Sequence, residues 1–170
     1  PEQPIIFTAF PGEVVVISAM DSVPQWTRSN EGENIYQCQP GWTLGQKNLV
    51  IAGERLCDLA RWPNNLDEDP FTLDAIRNTD GSNKNVTENA YLEYEEGIPA
   101  WNWEDGGSLF FYGDGSSSGW TTWRSFITRQ EENRIYFTLP SSWVGSAHPP
   151  DATGEFFLQG IKAAMDAPYE

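Results

Sequence analysis

Tryptophan and polar side chains that could form a binding site concentrate in residues 100–128, which contain four of the eight Trp of the chain. Trp103 and Trp120 flank a segment rich in Gly, Ser and Asp. Aromatic rings cover the apolar faces of pyranose rings, and aspartate and arginine side chains hydrogen-bond to the hydroxyl groups. We therefore predict a sugar-binding site that consists of Trp103, Trp120, Asp105, Asp114 and Arg124.

The elements around these residues decide whether the rings are exposed. Residues 109–112, Leu-Phe-Phe-Tyr, are apolar throughout and predict a buried strand. Residues 113–119 predict a loop, and residues 120–128 predict a second strand. Since the buried run must emerge at the edges of one sheet, we expect the Trp on either side of it to be partly exposed. The alternative is that these rings fill the core of a small β domain.

Short apolar runs separated by turn residues recur along the rest of the chain. Residues 14–17 are Val-Val-Val-Ile and follow a Pro-Gly turn signal. Ile135, Phe137 and Leu139 alternate with polar residues, which is typical of a half-buried strand. The pattern predicts an all-β fold, an antiparallel β-sandwich or β-barrel with long loops, in a single domain over residues 1–170.

The charge of the chain excludes two classes of partner. The net charge is −15, from 25 acidic and 10 basic residues. Nucleic acids and anionic membranes both require cationic contacts, so we expect neither as a partner. A sulfated or carboxylated polymer is also a harder partner, unless local arginines override the average charge. No apolar stretch approaches the length of a transmembrane helix.

Acidic segments at residues 67–69 and 78–83 offer clustered oxygen atoms as metal ligands. The second segment is faintly like a calcium-binding loop, but it lacks the regular ligand spacing and the terminal bidentate Glu, so we expect acidic surface loops there. A structural calcium ion stays open as an alternative, and we expect no other cofactor. Cys38 and Cys57 each lie in a short strand-like run, and we expect them to lie close in space, either bonded or as free thiols.

Three segments show distinctive hydrophobic and turn patterns. The chain opens with P-I-I-F-T-A-F-P-G-E-V-V-V-I-S and closes with F-F-L-Q-G-I-K-A-A-M-D-A-P at 156–168. Between them lies G-E-R-L-C-D-L-A-R-W-P-N at 53–64. Together with W-R-S-F-I-T and N-R-I-Y-F between 123 and 137, they resemble right-handed parallel β-helix carbohydrate-active enzymes into which a barrel-like domain is inserted. The 170 residues leave no room for the stacked catalytic coils. The resemblance therefore implies an accessory β module.

Such a module would be a non-catalytic carbohydrate-binding module of a secreted polysaccharide-degrading enzyme, with the parent catalytic domain as its partner. The acidic, aromatic-rich composition fits a marine bacterial enzyme that acts on an algal or plant polysaccharide, and an agar-type galactan is favoured by analogy. The opening Pro1-Glu2-Gln3-Pro4 has no signal-peptide character, so we expect a mature extracellular segment or an excised module.

Two other functions stay open. A glycoside hydrolase or polysaccharide lyase would need a positioned pair of catalytic groups, and carboxylates are plentiful, but nothing in the sequence pairs them. The carboxylates considered are Glu104, Asp105, Asp114 and Asp151. A structural spacer that props a catalytic cleft would have every Trp buried, whereas a binding module would expose some of them.

Overall fold

A computed structural model describes residues 6, 8–16, 18, 20–23, 25–29, 34–42, 49–67, 74–113, 121–141, 147–151 and 154–170. The chain divides into two compact units, Pro1–Asn48 and Leu49–Glu170, and the expectation of one domain over both stays a prediction. Every described strand pairing is antiparallel, which confirms the expected all-β fold class. No helix in the described ranges is long and apolar enough to span a membrane.

The first unit contains a two-stranded ribbon, formed by β1 (Thr27–Arg28) and β2 (Tyr36–Gln37). Thr27 lies opposite Gln37 and Arg28 lies opposite Tyr36, and all four residues are exposed. The backbone N–H of Ser29 donates to the carbonyl of Ile35 at 2.8 Å. Threonine and tyrosine favour an extended backbone, and a ribbon of two strands leaves side chains accessible on its faces.

The second unit contains a hairpin and a larger sheet of eight strands. The hairpin pairs β3 (Val50–Ala52) with β4 (Arg55–Cys57), and Gly53 supplies the positive φ of +67° that its tight turn requires. A short 3-10 helix follows the last strand at Lys162–Ala164. The strands of the larger sheet are β5 (Arg61–Trp62), β6 (Ile76–Arg77), β7 (Asp80–Gly81), β8 (Ala90–Glu93), β9 (Ser108–Tyr112), β10 (Thr122–Glu131), β11 (Arg134–Phe137) and β12 (Glu155–Gln159).

The strand pairing closes the larger sheet into a barrel. The strands follow the order β5-β12-β9-β10-β11-β8-β7, and β6 also pairs with β12. Because β6 and β7 belong to one short segment, residues 76–81, that segment joins β12 on one side to β8 on the other. The long strand β10 contains a register shift between Ile127 and Arg129, where it passes from β9 to β11. A bulge of this kind bends a strand and lets a sheet curl.

Alternation along the strands fills the barrel with apolar side chains. Leu109 and Phe111 of β9 and Ile135 and Phe137 of β11 have no exposed surface. The predicted alternation around Ile135 is therefore confirmed. Burial of each such side chain stabilises the fold by about 1.5–3 kcal/mol. Leu92, Phe156 and Leu158 are also fully buried.

The buried side chain of Asn78 holds the closing segment of the barrel. Its Nδ2 donates to the carbonyl oxygens of Pro150 at 2.6 Å and Asp80 at 3.1 Å. Its Oδ1 accepts the backbone N–H of Gly154 at 2.7 Å. A buried amide with partners at both ends fixes the position of the chains that it joins. Asn78 therefore ties the closing segment to the residues that precede β12.

Candidate functional site

Trp103 is fully buried, so the expectation that it forms part of an exposed platform is wrong. Its indole Nε1 donates to the carbonyl oxygen of Pro99 at 3.0 Å, and its ring lies 5.6 Å from the ring of Trp101. The physical reason is a tight turn, in which Gly107 N–H donates to the carbonyl of Trp103 at 2.9 Å and Gly106 has a φ of +89°. The turn folds the ring back into the core, as the alternative interpretation expects.

The other predicted site residues fall in different surroundings. Asp105 is exposed in the same turn, and its backbone N–H donates to the carbonyl of Asn102 at 3.2 Å. Arg124 is half-buried on β10. Trp120 and Asp114 lie outside the described residues. Nearby Trp123 belongs to the core, because its ring packs 4.9 Å from Phe111 and its Nε1 donates to the carbonyl of His148 at 3.0 Å.

Arg124 forms one end of a row of four side chains on the outer face of the barrel. Its guanidinium carbon lies 4.8 Å from the ring centroid of Phe110. That ring stacks on Phe157 with centroids 4.8 Å apart and an interplanar angle of 7°. The guanidinium carbon of Arg61 lies 3.9 Å from the ring centroid of Phe157. The row follows the strand order β5-β12-β9-β10, and we refer to it as the arginine–phenylalanine row.

Burial sets the electrostatics of this row. It lowers the pKa of Arg124 and of Arg61, although Asp74 acts in the opposite direction on Arg61. Burial also raises the pKa of Tyr112, while both arginines act to lower it. Tyr112 is therefore within electrostatic reach of both guanidinium groups, and at neutral pH its hydroxyl remains a hydrogen-bond donor. The outer face thus combines two cations and a neutral donor with the carboxylate of Glu155, which lies opposite Tyr112 on β12.

Three tyrosines should make the unfolding free energy fall at alkaline pH. A hydrogen bond to Asp80 raises the pKa of Tyr91, a hydrogen bond to Glu96 raises that of Tyr94, and burial raises that of Tyr112. A tyrosine that keeps its proton longer in the folded state contributes fully below the unfolded pKa of about 10. That contribution is lost as the pH rises through the folded pKa. Thermal unfolding between about pH 8 and about pH 11 should show the decline, and Tyr112→Phe should make it shallower; a melting temperature that stays level over this range would contradict the expectation.

Exposed aromatic rings occur instead in the first unit. Trp26, just before β1, is 47% exposed, and Tyr36 on β2 is 58% exposed. Arg28 lies opposite Tyr36 in the register, so these two side chains share one face of the ribbon, and Trp26 directly precedes β1. The indole Nε1 of Trp26 donates to the carbonyl of Val23 at 2.7 Å, which fixes the ring. We refer to Trp26 and Tyr36 as the aromatic face.

The sequence analysis missed the aromatic face because its strands are only two residues long. An alternation pattern needs about four to eight residues to be recognised. The signal that could have found it is a Trp within a Ser-, Pro- and Asn-rich loop that is followed by a short strand. Such a ring has few neighbours to cover it.

Several described acidic residues accept hydrogen bonds from the protein itself. Within the described ranges, no group of three or more His, Cys, Asp or Glu could hold a metal ion, and residues 68 and 69 lie outside those ranges. Asp80 accepts hydrogen bonds from the backbone N–H of Gly81 at 2.8 Å and from the hydroxyl of Tyr91 at 2.9 Å. Oε1 of Glu104 accepts the backbone N–H of Gln130 at 3.0 Å. Structural calcium stays an untested alternative.

Cys38 and Cys57 are free, half-buried thiols in the structure. They belong to the first and second compact units, respectively. Their expected proximity stays a prediction.

The chain was also compared with known proteins. No family model, curated protein or solved structure matches it. The resemblance to β-helix carbohydrate-active enzymes therefore stays a prediction.

Proposed function

We propose that this chain is a non-catalytic carbohydrate-binding module of a secreted polysaccharide-degrading enzyme. The observation that carries the proposal is the aromatic face, with two rings about half exposed, at 47% and 58%, one next to β1 and one on β2. Large exposed rings are unfavourable in water unless they meet a partner. Sugar rings are suitable partners because their apolar faces stack on aromatic rings.

The aromatic face is fixed before any ligand arrives. The hydrogen bond from Trp26 to Val23 holds the indole, so little side-chain entropy is lost when a sugar stacks on it. Arg28 lies opposite Tyr36, and a guanidinium is a hydrogen-bond donor of the kind that suits sugar hydroxyls. Binding of a few sugar units should still be weak, because a flexible glycan loses entropy when it is held.

The exposure of Trp side chains supports binding over a purely structural role. A spacer would bury every Trp, whereas Trp26 is 47% and Trp42 is 49% exposed. Three details of the proposal rest on the resemblance to β-helix carbohydrate-active enzymes. They are the agar-type galactan, the marine origin and the parent catalytic domain. An agar-type galactan is therefore the first polymer to test.

Replacement of Trp26 by alanine should weaken retention of the chain in a native gel that contains agarose by about tenfold. The reason is the loss of one stacked ring, which contributes about 1–3 kcal/mol in comparable burial. Tyr36→Ala should have a similar effect. Trp42→Ala is the comparison variant, because it removes an equally exposed indole that belongs to neither strand of the ribbon; a smaller loss of retention there would assign binding to the aromatic face. If agarose does not retain the parent chain, the same variants are tested against a panel of other algal and plant polysaccharides.

The proposal would be wrong if the folded Trp26→Ala and Tyr36→Ala variants were both retained as strongly as the parent chain. It would also be wrong if the parent chain bound no polysaccharide in the panel. Circular dichroism of each variant shows that any loss of retention does not come from unfolding.

A further inference from the structure

The sequence contains one acceptor pattern that the proposed function does not use. Asn85-Val86-Thr87 is the one place in the chain where an asparagine is followed two residues later by serine or threonine. This pattern, with a middle residue other than proline, is the acceptor sequence for N-linked glycosylation. It acts only where the asparagine lies on the surface of a secreted chain, so its place in the fold is decisive.

The structure places the pattern in an exposed turn between β7 and β8. Every residue from 83 to 89 is exposed. The turn is closed by the backbone N–H of Val86, which donates to the carbonyl of Asn83 at 3.0 Å. The backbone N–H of Asn85 donates to Oδ1 of Asn83 at 2.9 Å. These two bonds give the backbone at Asn85 a defined turn on the outside of the barrel.

The side chains of Asn85 and Thr87 are available, unlike those of the asparagine and threonine that precede β7. Asn78 uses both ends of its buried carboxamide, and the hydroxyl of Thr79 donates to the carbonyl of Glu93 at 3.2 Å. Within the described part of the chain, Asn85 and Thr87 form hydrogen bonds through backbone atoms alone. The carboxamide and the hydroxyl that an N-linked transfer needs are therefore both accessible from solvent.

Both ends of the turn are anchored to the barrel. The carbonyl of Thr87 accepts the backbone N–H of Leu139 at 2.7 Å, and Oγ of Ser82 accepts that of Tyr91 at 2.9 Å. Leu139 is 2% exposed and Ser82 is 4% exposed, so the anchors lie in the protein interior. A glycan on Asn85 would extend from the exposed turn between these anchors into solvent, and the core would keep its contacts.

We propose that Asn85 is a site of N-linked glycosylation in the secreted chain. The donor is an oligosaccharide linked to a polyprenyl diphosphate. Nδ2 of Asn85 forms a bond to the anomeric carbon of the first sugar, while the bond from that carbon to the diphosphate oxygen breaks. The amide nitrogen loses one proton, and the polyprenyl diphosphate leaves. The hydroxyl of Thr87 completes the pattern that the transferring enzyme recognises.

The inference rests on the secretion that the proposed function includes, but it shares no residue with the aromatic face. It requires a source organism whose secretory pathway contains the transferring enzyme. It therefore stands apart from the bacterial origin expected from the composition.

The test is secretion of the full chain from yeast behind a cleavable signal sequence. Intact mass spectrometry should show an oligosaccharide on most molecules, which peptide N-glycosidase removes while it converts Asn85 to aspartate. Asn85→Gln and Thr87→Val should both abolish this addition, whereas Thr87→Ser should retain it because serine keeps the hydroxyl. Asn102→Gln is the matched control, since Asn102 is an exposed turn asparagine without serine or threonine two residues later. Circular dichroism checks that each secreted variant is folded.

A secreted parent chain without any glycan that the N-glycosidase removes would overturn this inference, as would a removable glycan that persists in Asn85→Gln. Agarose retention separates the inference from the proposed function. If retention depends on Trp26 but Asn85 is unmodified, the proposed function stands and this site is wrong. If Asn85 is modified but the chain binds no polysaccharide in the panel, the proposed function is wrong and this site stands.

Discussion

Replacement of Trp103 by alanine should lower the free energy of unfolding by about 3–5 kcal/mol. The ring has no exposed surface, packs against Trp101, and donates its Nε1 hydrogen to the carbonyl of Pro99. Its removal leaves a cavity in the core. The carbonyl of Pro99 keeps the backbone N–H of Trp101 as a donor at 2.8 Å, so the cavity is the main cause of the loss. Urea unfolding followed by circular dichroism measures the change.

Trp26→Ala is the matched control for this experiment. The chemical change is the same, but the Trp26 ring is 47% exposed and leaves no comparable cavity. We expect it to lower the free energy of unfolding by less than about 1 kcal/mol. Equal losses in the two variants would contradict the assignment of Trp103 to the core and of Trp26 to the surface.

Replacement of Asn78 by alanine should lower the free energy of unfolding by about 3 kcal/mol. The change removes the partners of the buried Gly154 N–H and of the Pro150 carbonyl. Each buried polar group that loses its partner contributes about 1–3 kcal/mol to the loss. Thermal or urea unfolding measures the total, and amide hydrogen exchange at Gly154 should become faster because this residue lies beside the closing segment.

Asn83→Ala is the control for Asn78. Its Oδ1 accepts only a local backbone N–H, that of Asn85 at 2.9 Å, on an exposed turn. We expect a change of no more than about 0.5 kcal/mol there. If Asn78→Ala were as stable as Asn83→Ala, the hydrogen bonds of Asn78 would not close the barrel.

Local patterns were sufficient for the all-β fold class. The alternation of Ile135, Phe137 and Leu139 and the apolar run that contains Leu109 and Phe111 both correspond to buried strand residues. Side-chain alternation is a property of the strand itself, so a short window of sequence carries it. The closure of the barrel was different, because it depends on pairing of residues 76–81 with two strands far along the chain.

Whether a given Trp is exposed depended on the tertiary structure. The composition and the spacing of Trp103 suggested a surface platform, but the turn at Gly106 and Gly107 folds the ring inwards. Trp26 was left in a loop by the sequence patterns, and in the structure it directly precedes β1 with about half of its surface exposed. The burial of a large ring is decided by what packs over it, and those neighbours come from distant parts of the chain.

The sequence by itself determined the β character of this protein, its strong negative charge and the presence of Arg124 near the centre of an aromatic-rich region. Only the tertiary structure decided that Arg124 joins Arg61, Phe110 and Phe157 on one outer face, because those residues come from four strands that adjoin through long-range pairing. Charge and periodicity are local or additive properties of a chain. A surface built from four strands depends on their order and register, which are set by packing and hydrogen bonding over the whole barrel.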